Sequence, residues 1–179
     1  GRQKTMIDPV ERYHNLSSAN EMVIRIEIIT PAQRAELETA LRPYEHELEP
    51  DRIEPPDHFR RKLEAMFRDP DRWLWWAADE SGERVGFAIF RKFRDWPDDS
   101  KWVGSIAEFT IFPAQRRKGF GASLARKVVQ ELREAGCEKV ELGVLWHRKE
   151  SFEFWKTVGF RPVFIQMERC QRIFGAASR

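Results

Sequence analysis

The sequence predicts an α/β fold: a mixed, mostly antiparallel central sheet flanked by helices, in the order β-α-α-β-β-β-α-β-α-β. Three observations predict it. Two apolar, aromatic-rich runs, 73–79 and 85–93, are joined by Asp79-Glu80-Ser81-Gly82, which is turn chemistry, so they form an antiparallel hairpin. A stripe of Phe120, Leu124, Val128 and Leu132, widened by Ala125 and Val129, marks an amphipathic helix between two strand-like runs. A further helix and a last apolar run come after it, so the C-terminal half holds two crossovers around an antiparallel middle. At 179 residues and 41% apolar, the chain is one domain long and can bury a core without staples.

Taken in order, 22–29 is apolar and β-branched, a first strand. Thr30-Pro31-Ala32-Gln33 then carries a cap, a proline suited to the first helical position and the last residue of a capping box. Leu37, Leu41, Tyr44 and Leu48 share one helical face, and Pro43 is expected to kink or end that helix. A loop with Pro50, Pro55 and Pro56 leads to Asp57, a cap for a second helix that points Phe59, Leu63 and Phe67 inward. The hairpin comes next. A polar loop around Trp96-Pro97-Asp98-Asp99-Ser100 precedes a strand over 103–112, stopped by Pro113. The striped helix ends near Gly136. A short strand over 139–145, a helix over 148–157 and a final strand over 163–167 complete the domain. Residues 1–21 read as a flexible arm or tail, 22–174 as the domain and 175–179 as a loose end.

Composition excludes several classes. No run of about 18 apolar residues predicts a membrane span, and 1–20 has no apolar core of a signal peptide. Cys137 and Cys170 form no CxxC pair and no Cys/His cluster, so neither metal nor a disulfide framework is expected. A reduced, cytoplasmic protein is the expectation. The net charge of +2 gives no argument for nucleic acid. Charge is nevertheless segregated. Glu45, Glu47, Glu49, Asp51, Glu54 and Asp57 crowd one segment; Arg116, Arg117, Lys118, Arg126 and Lys127 crowd another, free of acids.

The basic block matters because of its position. Arg116-Arg117-Lys118 runs into Gly119-Phe120-Gly121 at the mouth of a helix. A helix start leaves about four N–H groups without partners and carries roughly half a positive charge. Glycine lets a ligand approach the backbone closely. The stretch therefore suits phosphate, and taken by itself reads still more readily as a helix start with a solvated basic face. It is not a Walker A loop, because the lysine precedes the glycines, nor the dinucleotide GxGxxG, because Leu124 stands where the third glycine belongs.

Arg116-Arg117-Lys118-Gly119-Phe120-Gly121 fits Arg/Gln-x-x-Gly-x-Gly/Ala, and Phe154-Trp155-Lys156-Thr157-Val158-Gly159-Phe160 fits F-[YW]-x-x-x-G-F. In this order and context the chain resembles the GCN5-related N-acetyltransferases (GNAT superfamily), most closely over 103–169. The resemblance implies an enzyme that moves acetyl directly from acetyl-CoA to an amine. It implies that Arg116, Arg117, Lys118, Gly119, Phe120, Gly121 and Ala122 form the pyrophosphate turn. It implies that the strand end at Ile111 and Phe112 pairs with the pantetheine arm, in a gap splayed between that strand and 139–145. Gly121→Val is then expected to block CoA while leaving the fold intact.

Acetyl transfer needs the amine deprotonated, a donor for the oxyanion and a leaving thiolate. Glu108 is the only carboxylate in the 103–112 strand, where a charge is costly unless paired or facing a wet cleft, and is the candidate base. A local bulge would change the face it points to. The family's usual acid is a helix Tyr; Trp155 stands at that position, and Arg148 stands where an Asn is frequent. Indole is not a useful proton acid. His147 is the alternative donor, and Ser151 a weaker one. Trp73, Trp75 and Trp76 read as hairpin packing; Trp96 reads as a residue at the substrate mouth. The acidic segment suggests a cationic small-molecule or peptide amine as acceptor, and the resemblance admits a homodimer. The other function class is a non-catalytic GNAT-fold module that binds acyl-CoA or a protein partner.

Overall fold

The computed structural model describes residues 22–167; the expectations for 1–21 and 175–179 lie outside them. Five strands form one sheet in the order β1-β2-β3-β4-β5: β1 Arg25–Ile28, β2 Arg72–Ala78, β3 Arg84–Arg94, β4 Trp102–Ile111 and β5 Cys137–Leu142. The first three pairings are antiparallel and β4–β5 is parallel. Helices α1 (Arg34–Leu48) and α2 (His58–Arg68) connect β1 to β2; α3 (Phe120–Glu134) connects β4 to β5, and α4 (Lys149–Thr157) comes last. Among the described residues no helix is long and apolar enough to cross a membrane.

Strand alternation sorts the core onto two faces. Leu74, Trp76, Phe87 and Ile89 pack with Leu37 and Leu41 of α1 and Phe59, Leu63 and Met66 of α2. Trp75, Ala77, Ala88 and Phe90 pack with Phe120, Leu124, Val128 and Leu132 of α3. Both faces are covered, which is why β2 and β3 read as continuous apolar runs. The hairpin tryptophans are core packing, Trp73 stacking on Phe90 at 5.4 Å. Asp79 closes the β2–β3 turn, accepting from the Ser81 and Glu83 N–H groups at 2.9 and 3.0 Å. Thr30 and Gln33 form the capping box, beneath a 3₁₀ turn at Pro31–Gln33 that leads into α1.

Three expectations are corrected. Of the two outcomes expected at Pro43, a kink or an end, the end does not occur: α1 runs on to Leu48. The missing N–H removes one helical bond, but Leu41 before it is buried and Tyr44 after it packs edge-on against Phe87, so tertiary contacts carry the helix through. The strand expected at 163–167 does not form: Val163, Phe164, Ile165 and Met167 are 72–89% exposed, without regular structure. A strand needs a neighbouring ladder, and among the described residues none lies beside this run. Trp96, 90% exposed, sits in the β3–β4 loop, beyond the start of β4, whereas β4 and β5 part to form a cleft at the other end of that strand.

Candidate functional site

The site begins with two parallel strands that part. Pairing of β4 with β5 runs only to Ile106 opposite Leu142, while β4 continues to Ile111. The gap is a cleft of about 820 Å³, walled by β4, the segment after β5, the start of α3, α4 and the end of α1. Just past the last paired residue β4 bulges: Phe90 faces Ile106 and Ile89 faces Glu108, which leaves Ala107 unpaired. Past the bulge, the Phe112 N–H donates to Val85 C=O of β3 at 2.8 Å. By alternation the polar backbone groups of Phe109 and Ile111 therefore face the open edge. Their contacts agree. Phe109 N–H donates to the Tyr44 hydroxyl at 3.4 Å, and Arg116 Nε donates to Ile111 C=O at 2.9 Å.

At the mouth of the cleft lies the first turn of α3. Gly119 is its N-cap, in a left-handed conformation with φ of 91°, and no side chain caps the helix. Ser123 N–H bonds to Gly119 C=O at 3.3 Å, the first bond of the helix. The N–H groups of Phe120, Gly121 and Ala122 are thus the orphan donors of that turn. Arg117 also takes a positive φ, 63°, so the turn is held in a shape that exposes its backbone. Gly121 is constrained differently. A Cβ there would stand 3.2 Å from Phe154 Cε2 and 3.6 Å from Ile111 Cγ1. A larger residue there would therefore press on α4 and β4 as well as on any ligand at the turn. These donors, with the open β4 edge beside them, fit a ligand that has a pyrophosphate at one end and an amide-bearing arm.

Arg116 is already engaged within the chain. Besides Ile111, its guanidinium holds Glu47 of α1 in two bonds of 3.1 and 2.7 Å, and Arg148 reaches the same carboxylate at 2.6 Å. The bond from Arg116, joined by Arg148, keeps the Glu47 carboxyl below the usual range although partial burial opposes it. This triad ties α1, the basic turn and the start of α4 together across one side of the cleft.

Glu108 points toward α1 and α2 because of the bulge. Simple alternation would put it with Ile106, on the α3 face; the extra residue reverses that. Its carboxylate lies 2.5 Å from Lys62 Nζ of α2, and the same nitrogen lies 2.5 Å from Glu45. Burial alone would lower the Lys62 pKa; Glu108 and Glu45 outweigh it and hold the ammonium above its ordinary value. His58 continues the line, with Nε2 3.0 Å from Glu45 and Nδ1 2.9 Å from Glu54. The ligand atoms of Glu45, Glu54 and His58 lie within 4.8 Å of one another, but here Lys62 and Arg52 engage the carboxylates, so the arrangement is an ion-pair network.

The structure brings most of the predicted residues to the cleft. Ile111, Arg116, Arg117, Gly119, Gly121, Ala122, His147 and Trp155 line it; Phe112, Lys118, Phe120 and Glu108 do not. Phe112 turns to Phe87 on the other face, Lys118 Nζ binds Gln115 at 2.9 Å, and the Phe120 ring is in the core, leaving only its N–H at the turn. Trp155 is buried against Phe109, with ring centroids 4.8 Å apart, and His147 lies exposed on the rim. Sequence reasoning missed Tyr44, Lys62 and Glu47. Tyr44 gave the one usable signal: a phenol on an otherwise aliphatic helix face must find a partner for its hydroxyl.

The Acetyltransferase (GNAT) family model matches residues 35–160. An aminoalkylphosphonate N-acetyltransferase of Salmonella typhimurium is 29% identical over 104 residues, which is 58% of this chain and 66% of that protein's length. Among solved structures, a transcriptional regulator from Bacillus halodurans superposes with a TM-score of 0.69 at 18% identity, over 83% of this chain and 100% of that one. The aminoglycoside N-acetyltransferase AAC(6')-Iy in complex with CoA superposes with a TM-score of 0.66 at 17% identity, over 86% and 98%. At such identities the structures speak for the fold. The family match spans well over half of the chain, and the chain belongs to the GNAT acetyltransferase family.

Proposed function

We propose that this protein is an acetyl-CoA-dependent N-acetyltransferase that moves the acetyl group directly onto a primary amine of a small molecule. The observation that carries the reading is the splayed β4–β5 cleft with the uncapped first turn of α3 at its mouth. The amides of Phe120, Gly121 and Ala122 receive the pyrophosphate, helped by Arg117. The open edge at Phe109 and Ile111 receives the pantetheine arm as an added strand. Phe109 N–H then serves as oxyanion donor, since its bond to Tyr44 is long and readily exchanged for a carbonyl laid on that edge. Glu108 accepts the amine proton. A thiol pKa of about 8.5 lets thiolate depart unaided, which accommodates Trp155 at the usual position of the acid.

The acceptor class comes from the relatives' names and from the charges. One relative is named for aminoalkylphosphonates and another for aminoglycosides; both are small amines. The acidic segment does not favour a cation: Glu45, Glu47, Glu49, Glu54 and Asp57 already hold basic side chains of this chain. We therefore assign a small primary amine without a required positive charge. Thermal unfolding with acetyl-CoA, and with ATP and a short DNA as controls, tests the first substrate. Saturation to 100 times Kd adds about 2.7 kcal/mol, several degrees at this size. Thiol release with kanamycin, spermidine, 2-aminoethylphosphonate and an N-terminal alanine peptide tests the second. No shift and no thiol would refute the reading.

A further inference from the structure

The cleft holds a cation that the acetyl-transfer reading leaves without a task. Arg116, Arg117, Arg148 and Lys149 line it, against the carboxylates of Glu47 and Glu150. Arg117 goes with the α3 turn. Arg148 belongs to the α1 wall: its Nη2 donates to the Glu47 carboxylate at 2.6 Å and its Nη1 to the Glu47 C=O at 3.2 Å. Arg116 uses Nε on Ile111 C=O, and Nη1 and Nη2 on the same carboxylate. One carboxylate thus answers two guanidinium groups, and this wall keeps an excess of positive charge. A guanidinium has five N–H groups. In Arg148, Nε and one N–H on each terminal nitrogen have no partner among the described residues. The side chain is 29% exposed, so these donors can be reached. Glu47 already holds the group in place, so binding has little side-chain freedom left to remove.

We propose that Arg148 binds an acid group of the acceptor, so that the amine acetylated here also carries a carboxylate or a phosphonate. This rests on the acetyl-transfer reading above. The place of Arg148 in the fold selects the acceptor over the cofactor. In that reading the pyrophosphate lies at the amides of Phe120, Gly121 and Ala122 and the arm lies on the β4 edge, which leaves the α1 wall to the amine. Tyr44 and Glu47 stand three positions apart on α1 and both line the cleft. Residues so spaced are neighbours on one helix face, with about 5–6 Å between Cβ atoms. Tyr44 marks the reacting end, since its hydroxyl accepts from Phe109 N–H at 3.4 Å. Arg148, on Glu47, marks a point about one turn along. An amine nitrogen beside Phe109 and an oxyanion on Arg148 are then joined by a short chain, as in a small ω-amino acid or its phosphonate counterpart. The guanidinium fork donates to either oxyanion in two parallel bonds. A neutral or purely cationic amine leaves the extra positive charge of this wall unanswered.

Matched amines test the inference: 2-aminoethylphosphonate and 3-aminopropanoate against ethanolamine and propylamine, which are similar in length but lack the acid. Thiol release by the wild-type protein should give the acid-bearing pair a kcat/KM about 10- to 100-fold higher, the effect of a hydrogen bond to a charged group, carried mainly by KM. Arg148→Met should remove that preference. Arg148→Lys should keep part of it, because the charge stays and the fork is lost. Both variants should keep the acetyl-CoA thermal shift. A measurement without any variant guards against misfolding: ethylphosphonate, which has the acid and no amine, should compete with 2-aminoethylphosphonate and not with acetyl-CoA. Turnover that is equal for the two pairs or confined to amines without an acid group overturns the inference alone. So does a preference that survives Arg148→Met, or competition of ethylphosphonate with acetyl-CoA. Loss of the acetyl-CoA shift in Arg148 variants whose urea midpoints are intact gives Arg148 to the cofactor and overturns it as well. No turnover on any amine overturns the proposed function and this inference with it.

Discussion

Replacing Lys62 by methionine should both weaken the fold and shift the pH dependence of turnover. In the intact protein the Lys62 nitrogen lies 2.5 Å from a Glu45 oxygen and 2.5 Å from a Glu108 oxygen, so those oxygens are no more than about 5 Å apart. Two unit charges at that distance repel by about 3 kcal/mol at an effective dielectric constant of 20. All three side chains are less than a quarter exposed, so water offsets little of this. His58 still holds Glu45, which trims the cost to roughly 2–3 kcal/mol, in line with breaking a partly buried ion pair. At this size that is a fall in Tm of about 5–10 °C. The pH dependence has two signatures. Lys62 has a raised pKa in the folded state. Its contribution is complete below its unfolded pKa and fades as pH rises through the folded one, so wild type and variant converge in strong alkali. In acid the variant recovers too, because protonating one carboxylate ends the repulsion; the acid limb of its turnover should move to higher pH. Urea unfolding across pH reads both. A stability loss under about 0.5 kcal/mol, flat in pH, would refute the reasoning.

Two further predictions concern the mouth of the cleft. Glu47→Gln should lower stability near neutral pH, with the difference closing in acid. Glu47 has a depressed pKa, so its contribution is present above the unfolded value of about 4.3 and is lost as pH falls through the folded one; urea midpoints in neutral and acidic buffer check it. Gly121→Val should cost about 1–3 kcal/mol of stability, because its Cβ already crowds Phe154 and its methyl groups overpack α3 against α4. An unchanged Tm would mean that the glycine serves ligand approach alone.

Local features of the sequence carried the frame. The β2–β3 turn, the β4 run ending before Pro113, the glycine turn and the stripe of α3 each depend on residues a few positions apart, and each formed where expected. What was illegible depends on distant partners. Lys62 meets Glu108 across 46 residues and Tyr44 meets Phe109 across 65; neither helix encodes its docking angle locally. Pro43 argued for a break and lost to packing. The 163–167 run has the composition of a strand but no partner strand among the described residues, and composition cannot supply one. The acidic segment looked like a surface for a cation, yet most of its charges are answered from α2, from Arg52 within the segment, from the basic turn and from Arg148. Patterning reported which side chains were charged, not which were already paired.

Ala107 is the residue where fold and chemistry meet. As the extra residue of the bulge it has no partner on β3. It comes directly after Ile106, the last β4 residue to pair with β5, and a bulged strand bends. The bend leads β4 away from β5 and opens the edge on which Phe109 lies. Deleting Ala107 would leave every later residue on its present face, since Phe90–Ile106 and Ile89–Glu108 are already successive pairs and would become neighbours in a regular ladder. Stability should therefore hold or rise, and Glu108 should keep Lys62. The cleft should not survive, because a straight β4 would continue its pairing with the segment after Leu142. Chemical unfolding should report an intact or firmer domain, while the acetyl-CoA thermal shift and thiol release disappear. A deletion variant that still binds acetyl-CoA and turns over would show that the strands part for another reason, such as the anchoring of β4's end by Arg116 and Glu47.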